Sequence, residues 1–304
     1  MRIVLIGQAA FAEQVLDGLR ARGHELAAAY CPPDTPGIKV DPFKARATAL
    51  AIPVRQHRTL KGAEVASQFA SFAADLGVLA YVTQIVPPSV FEAPRLGSIC
   101  FHPSLLPRYR GGSAIPWQII KGETRTGVTV FWVDPGIDTG PILLQKEAAL
   151  GPDETAGSLY YNTLFKLGVD VVLEAVDAIA AGRAARVPQG ESQASYDPLC
   201  RDEHAVVDWT RPVADVYNLI RGCDPQPGAY TIRRGEKVRF YDARRADRGE
   251  GTPGRIEAID ERGVTIAARG GSIAIGRMRV GEKKIAAREA ATALGFTVGE
   301  SLNS

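Results

Sequence analysis

The sequence has no pair of cysteines at CxxC spacing. Its four cysteines, Cys31, Cys100, Cys200 and Cys223, stand far apart among 304 residues, and its histidines number only four. Zinc ribbons and fingers need closely spaced ligand pairs, so no metal site is expected. A reducing cytoplasm is the expected compartment, since the sequence also lacks a secretion signal and a membrane-length apolar run. Long apolar runs are missing: none approaches the ~20 residues that a membrane helix needs. The chain opens on Met1-Arg2 and a short apolar strand, too short for the core of a secretion signal. An excess of one charge is missing as well. Lys and Arg total 36 against 34 Asp and Glu, a net charge of +2, which argues against a strongly basic nucleic-acid binder. Finally, no GxGxxG follows the first strand, so no NAD is expected.

What is present is an ordinary globular composition, 45% hydrophobic and 23% charged, long enough for two domains or one large one. Arg2 to Ile6 reads as a buried strand, Gly7-Gln8 as a turn, and Ala10 to Arg22 as a helix with Phe11, Val15, Leu16 and Leu19 on one face. Strands at Glu25 to Cys31, from Val54, and at Leu76 to Tyr81 alternate with helices at Pro42 to Leu50 and Lys61 to Ala74. A helix follows at Ser113 to Lys121, with Trp117 packing inward, then strands at Thr126 to Val133 and Pro141 to Ala149. Thr155 to Gly182 reads as one long helix that Gly168 bends. Alternation of this kind predicts a Rossmann-like α/β domain with a mostly parallel sheet.

The proline-bounded polar stretch PQGESQASYDP, at 188–198, marks a linker. The expected division is a first domain over 1–187, a linker over 188–202 and a second domain over 203–304. The second should begin with a helix at Arg211 to Arg221. Strands follow at Tyr230 to Phe240, Gly254 to Ile259, Val264 to Ala268 and Ser272 to Val280, then a helix at Ala286 to Leu294. Short strands separated by glycine and charged turns suggest a small β-barrel. Arg233 to Arg248 carries seven basic and three acidic residues, yet the whole of 201–304 is only 18 basic against 15 acidic. That is no strong nucleic-acid footprint, and a solvated hairpin is the preferred reading.

Two stretches carry candidate chemistry. Ser98-Ile99-Cys100-Phe101 reads as a strand that ends at His102-Pro103, where proline cannot extend the ladder. In open α/β sheets, ligands bind outside the strand ends. The second stretch, DPGIDTG, puts Asp134 and Asp138 in a turn bracketed by Gly136 and Gly140. A histidine base with an orienting carboxylate fits this pattern. By spacing alone, however, a structural histidine at a turn is the commoner outcome.

The wording is more specific than the spacing. CFHPSLLPRYRGGSAIPW followed by FWVDPGIDTGPILLQKE, with IGQAAF near the start, resembles the enzymes that take a formyl group from 10-formyltetrahydrofolate. That family includes methionyl-tRNA formyltransferase, sugar-nucleotide amine formyltransferases and, most similar in wording, the hydrolase domain of 10-formyltetrahydrofolate dehydrogenase. VDWTRPVADVYNLIRGCDPQPGAYT resembles the entry to the family's second domain. The resemblance fades between about 250 and 288.

The resemblance implies the formyltransferase fold followed by a barrel of the oligonucleotide-binding type. It implies 10-formyltetrahydrofolate as co-substrate, held by the segment after the fourth strand: Tyr81, Val82, Thr83, Gln84, Ile85 and Val86. It assigns His102 to the oxyanion and to proton transfer, and Asp138 to partnering His102. Asp134 is left as a turn residue, and Arg108 and Arg110 stay outside the catalytic core. Cys100 occupies the position where the amine formyltransferases have an amide-donating asparagine, so its role is open between a small buried residue and a nucleophilic thiolate. The acceptor is left open among a small amine, a carrier-protein thiol, initiator tRNA and water, the last making the enzyme a hydrolase. A folate- or RNA-binding scaffold without turnover is the non-enzymatic alternative.

Overall fold

A computed structural model describes residues 1–246 and 251–302. The described chain forms two compact units. The first comprises Met1–Gly112, Thr126–Ala148 and Asn162–Tyr196, and the second comprises Ser113–Arg125, Ala149–Tyr161 and Asp197–Ser304.

In chain order the elements through the first sheet are β1 (Arg2–Gly7), α1 (Ala9–Ala21), β2 (Glu25–Cys31), α2 (Pro42–Ala49), β3 (Val54–Gln56), α3 (Ala63–Ser71), β4 (Leu76–Ala80), α4 (Pro88–Phe91), β5 (Ser98–His102), α5 (Ala114–Ile120), β6 (Arg125–Trp132) and β7 (Ile142–Ala149). The sheet order is β3-β2-β1-β4-β5-β6-β7. The pairs β2–β3, β1–β2, β1–β4 and β4–β5 run parallel, and β5–β6 runs antiparallel. The mostly parallel α/β sheet expected from the alternation is what forms. The order in which strands are added reverses between the parallel neighbours β1 and β4, the switch point where such sheets bind ligands.

Strand alternation sends Val4, Ile6, Tyr30 and Leu79 into one apolar cluster with Phe69 and Val90. On the first helix, Phe11 stacks on Phe101, with ring centroids 4.4 Å apart. The helix expected over 155–182 forms as one uninterrupted helical run over 156–180, but with a π-helical turn at Tyr160–Leu164 between α6 (Ala156–Leu159) and α7 (Phe165–Ala180). Gly168 lies within α7. A Cβ there would lie 2.5 Å from the Phe101 ring, so glycine lets α7 approach the aromatic pair.

The second unit adds α8 (Val213–Gly222), β8 (Tyr230–Arg233), β9 (Glu236–Ala246), β10 (Ile256–Asp260), β11 (Gly263–Ala268), β12 (Gly271–Val280), β13 (Lys283–Ala286) and α9 (Ala287–Leu294). Its antiparallel sheet runs β10-β11-β12-β9-β8, with β13 against β12, around a core that includes Trp209, Phe240, Ile273 and Met278. This is the sheet of a small barrel. The strand expected over 230–240 is instead a hairpin. Arg234 and Gly235 both take positive φ, as a tight two-residue turn requires, and Arg-Gly is a weak sequence signal for it. Trp117 does not pack fully inward; its indole N–H reaches the Pro198 carbonyl at 2.7 Å. The basic run is engaged with acids: Lys237 and Arg239 both hold Asp202, and Arg233 holds Glu300. Asp247 and Arg248 lie outside the described residues.

Candidate functional site

His102 closes β5, paired across the ladder with Thr129 of β6. Its side chain is buried, at 5% exposure. Both ring nitrogens face oxygen. Nε2 lies 2.8 Å from the Tyr109 carbonyl, and Nδ1 lies 3.4 Å from Asp138 Oδ2. A carbonyl can only accept, so Nε2 carries a proton. In the neutral ring Nδ1 then presents its lone pair, and a proton gained there rests beside a carboxylate. That is the arrangement of a base with a partner for its cationic form.

The loop that supplies the Tyr109 carbonyl is fastened at several points. Thr129 Oγ1 donates to the Ser104 carbonyl at 2.6 Å and accepts from the Leu106 N–H at 3.2 Å. Gln145 donates to the Leu106 carbonyl at 3.0 Å, and Ser104 Oγ to the Arg108 carbonyl at 2.7 Å. Tyr109 itself sits at φ +62. The fixed loop gives His102 a rigid tether.

The loop after β6 folds back to bring Asp138 to His102. Gly140 makes this possible: a Cβ there would stand 1.7 Å from the Trp132 carbonyl oxygen. Asp138 has φ +56, and its Oδ2 accepts the Gly111 N–H at 2.7 Å. Its carboxylate is thus aimed by a backbone donor and stays 18% exposed. Asp134 is occupied otherwise. Its Oδ1 accepts from the Gly136 N–H at 3.1 Å and the Thr139 hydroxyl at 2.6 Å, which closes its own turn.

Cys100 shares the face of β5 with His102, as residues two apart must. Burial pushes its thiol well above the usual range, and the Asp138 charge adds to this. The sulfur points to the Phe101 carbonyl at 3.5 Å. A thiol held in its protonated form is a poor nucleophile.

The expected folate-binding run divides in two. Tyr81 to Gln84 wall a cavity that also touches Gly7, Gln8, Tyr30 and His57. It opens at the carboxyl ends of β1, β2 and β4, the edge at which β5 delivers His102. Ile85 and Val86 do not line it. Ile85 is 68% exposed, and Val86 packs on the apolar cluster below. The lining has neither lysine or arginine nor a carboxylate. Burial raises the Tyr30 hydroxyl to about 12 and the Cys31 thiol to about 11, so both stay neutral. Gln84 Oε1 is buried there without a hydrogen-bond partner among the described residues. A flat, uncharged group bearing an N–H suits such a cavity.

Arg108 lies over the Tyr109 ring at 5.2 Å, and Arg110 is buried against Gln189 and Glu191. Gln189 is absent from the sequence reading, because it stands in a polar stretch between prolines that reads as linker. Gln8 is read there only as part of a turn, and Tyr30 and His57 are not singled out; Tyr30 stands near the end of β2 and Gln8 and His57 just past β1 and β3, and only the sheet order brings them together. Among the described residues, no group of three or more His, Cys, Asp and Glu gathers in a way that would hold a metal ion. Among the described residues, no helix is long and apolar enough to cross a membrane.

Comparison with known proteins follows this geometry. The Formyl transferase family profile matches residues 1–176, and the profile of the Formyl transferase C-terminal domain matches residues 200–294. Cytosolic 10-formyltetrahydrofolate dehydrogenase of Mus musculus is 41% identical over 248 residues, covering 80% of this chain and 27% of that protein. The chain thus spans about a quarter of the dehydrogenases that it matches. Methionyl-tRNA formyltransferase of Moorella thermoacetica is 36% identical over 291 residues, covering 94% of this chain and 93% of that one. HypX from Aquifex aeolicus, solved in complex with tetrahydrofolic acid, superimposes with a TM-score of 0.72 at 22% identity, over 99% of this chain and 48% of that one. The last likeness speaks for the fold alone.

Proposed function

The chain belongs to the formyl transferase family, and within it we propose an enzyme that moves the formyl group of 10-formyltetrahydrofolate to an acceptor. The single observation that carries this reading is the His102–Asp138 pair at the ligand-binding edge of the sheet. A relative that names this folate, 10-formyltetrahydrofolate dehydrogenase, and one named as a formyltransferase support it.

Bound to the protein, the folate supplies an amide-like formyl carbonyl on N10. The residues do the rest. The wall at Tyr81 to Gln84 holds the folate, and the partnerless Gln84 Oε1 fits an N–H of its ring. His102 takes the proton of the attacking group on Nδ1, donates from that atom to negative charge growing on the carbonyl oxygen, and then gives the proton to N10 as the C–N10 bond breaks and tetrahydrofolate leaves. Donors of this kind are typically worth ~3 kcal/mol. Asp138 steadies the charged ring, and the Tyr109 carbonyl keeps it from turning. We assign this work to residues 1–187, with 188–202 as the link and 203–304 as the barrel domain, and we place the protein in the cytoplasm.

The acceptor follows from Cys100. Without an amide donor at that position, transfer to an amine loses one hydrogen bond to the oxyanion. A thiol or water is the favoured acceptor, and with water the enzyme is a hydrolase that releases formate. An acceptor screen with a labelled formyl donor tests this, offering water, small thiols, a sugar amine and initiator methionyl-tRNA. Label in a thioester or in formate supports the reading. Efficient labelling of the tRNA alone restores an amine transferase.

A further inference from the structure

We propose that Gln189 is a positioning residue for Asp138, and that the strap from Gln189 to Ser195 sets both halves of the His102–Asp138 pair. The proposal rests on the catalytic reading of that pair given above.

The Gln189 amide uses its full hydrogen-bonding capacity. Nε2 donates to the carbonyls of Asp138 and Gly140, each at 2.8 Å. Oε1 accepts from Arg110 Nε at 3.1 Å and from Nη2 at 2.9 Å. A flipped amide would set oxygen against two carbonyls and N–H against a guanidinium, so the network fixes its orientation. Glu191 completes the anchor with a two-pronged grip on Arg110, at 3.0 and 2.7 Å.

The same strap reaches the other loop. Ser195 Oγ accepts the Tyr109 N–H at 2.8 Å, the Ser195 carbonyl accepts the Arg110 N–H at 2.9 Å, and the Ser195 N–H donates to the Pro107 carbonyl at 3.2 Å. Tyr109 gives the carbonyl that His102 Nε2 holds, and Asp138 is what Nδ1 faces. Both residues stand at positive φ, +62 and +56. Residues other than glycine keep such a conformation only where their surroundings determine it. Here the determining groups come from a segment that reads, in sequence, as a connector.

Gln189→Glu isolates the point. It keeps the shape and the acceptors for Arg110 but removes both N–H donors to the Asp138 turn. The full-length variant should lose about 10- to 100-fold in kcat, as small misplacements at a reacting centre do, with the Kd for tetrahydrofolate within about twofold of wild type. In an Asp138→Asn background the same change should cost nothing more, because the strap acts through Asp138. Glu191→Gln, at a side chain 73% exposed, loosens the anchor without threatening the fold and should show a smaller loss with the same non-additivity. Wild-type kcat in both strap variants, or losses that multiply with that of Asp138→Asn, would overturn the proposal. An Asp138→Asn enzyme at full rate would overturn the reading of the pair itself, and the strap with it.

Discussion

His102 Nδ1 stands 3.4 Å from Asp138 Oδ2 while its Nε2–H donates a hydrogen bond to the Tyr109 carbonyl. The ring therefore has one free basic site, and that site looks at a carboxylate. Asp138 is aimed in turn by the Gly111 N–H, at 2.7 Å. The base ends a strand, and its partner and both tethers come from loops at the same edge of the sheet.

The two acids of DPGIDTG should separate sharply in kinetics. Asp138→Asn removes the charge beside His102, and kcat should fall by about a hundredfold or more, in the range for general-base catalysis. Asp134→Asn keeps an acceptor for Gly136 and Thr139 and should stay within about fivefold. Steady-state kcat for the two variants decides it; equal losses would mean that Asp134 does more than close its turn.

Cys100 should resist alkylation near neutral pH, because burial first and the Asp138 charge second hold its thiol protonated. Asp138→Asn removes the second cause, which lowers the thiol's pKa and speeds alkylation. Peptide mapping after iodoacetamide treatment between pH 7 and 9 measures this. A fast-reacting Cys100 in the wild type would contradict the protonated thiol.

Cys100→Asn should raise transfer to amines, since the new amide offers the oxyanion a donor worth about a hundredfold in rate. The comparison is product formation from a sugar amine in variant and wild type. An unchanged amine rate in a folded variant would show that position 100 does not face the reacting carbonyl.

The fold was legible in the sequence because its causes are local: apolar strands, a helix stripe at Phe11, Val15, Leu16 and Leu19, and prolines that end ladders. His102 and Asp138 were legible as residues through their motif wording, but their meeting was not, since it depends on the Gly140 fold-back. Three features stayed hidden for physical reasons. The π-turn at Tyr160–Leu164 has no composition signal, the Arg234-Gly235 turn lacks the usual Asn or Asp, and Gln189 looks like solvent-facing linker until its carbonyl partners are in place.

Acid should find a weak point in the second unit. Hydrogen bonds from Arg239 and then Lys237 hold the Asp202 carboxyl at about 2, down from 3.8. A carboxyl lowered in the folded state adds stability above its unfolded value, and that stability is lost as pH falls from about 4 through 2. Asp202→Asn should therefore melt below wild type at neutral pH, with the gap closing over that window. A gap that holds constant down to pH 2 would show that the ion pairs add nothing.

The central claim is that His102 performs formyl chemistry on 10-formyltetrahydrofolate. The direct measurement is release of tetrahydrofolate from that donor, followed by absorbance with and without a small thiol, for wild type and His102→Ala. The account predicts slow wild-type release that thiol stimulates. It also predicts a loss of about 10²–10⁴-fold in the variant, with tetrahydrofolate still bound. Release by His102→Ala within tenfold of wild type would contradict it.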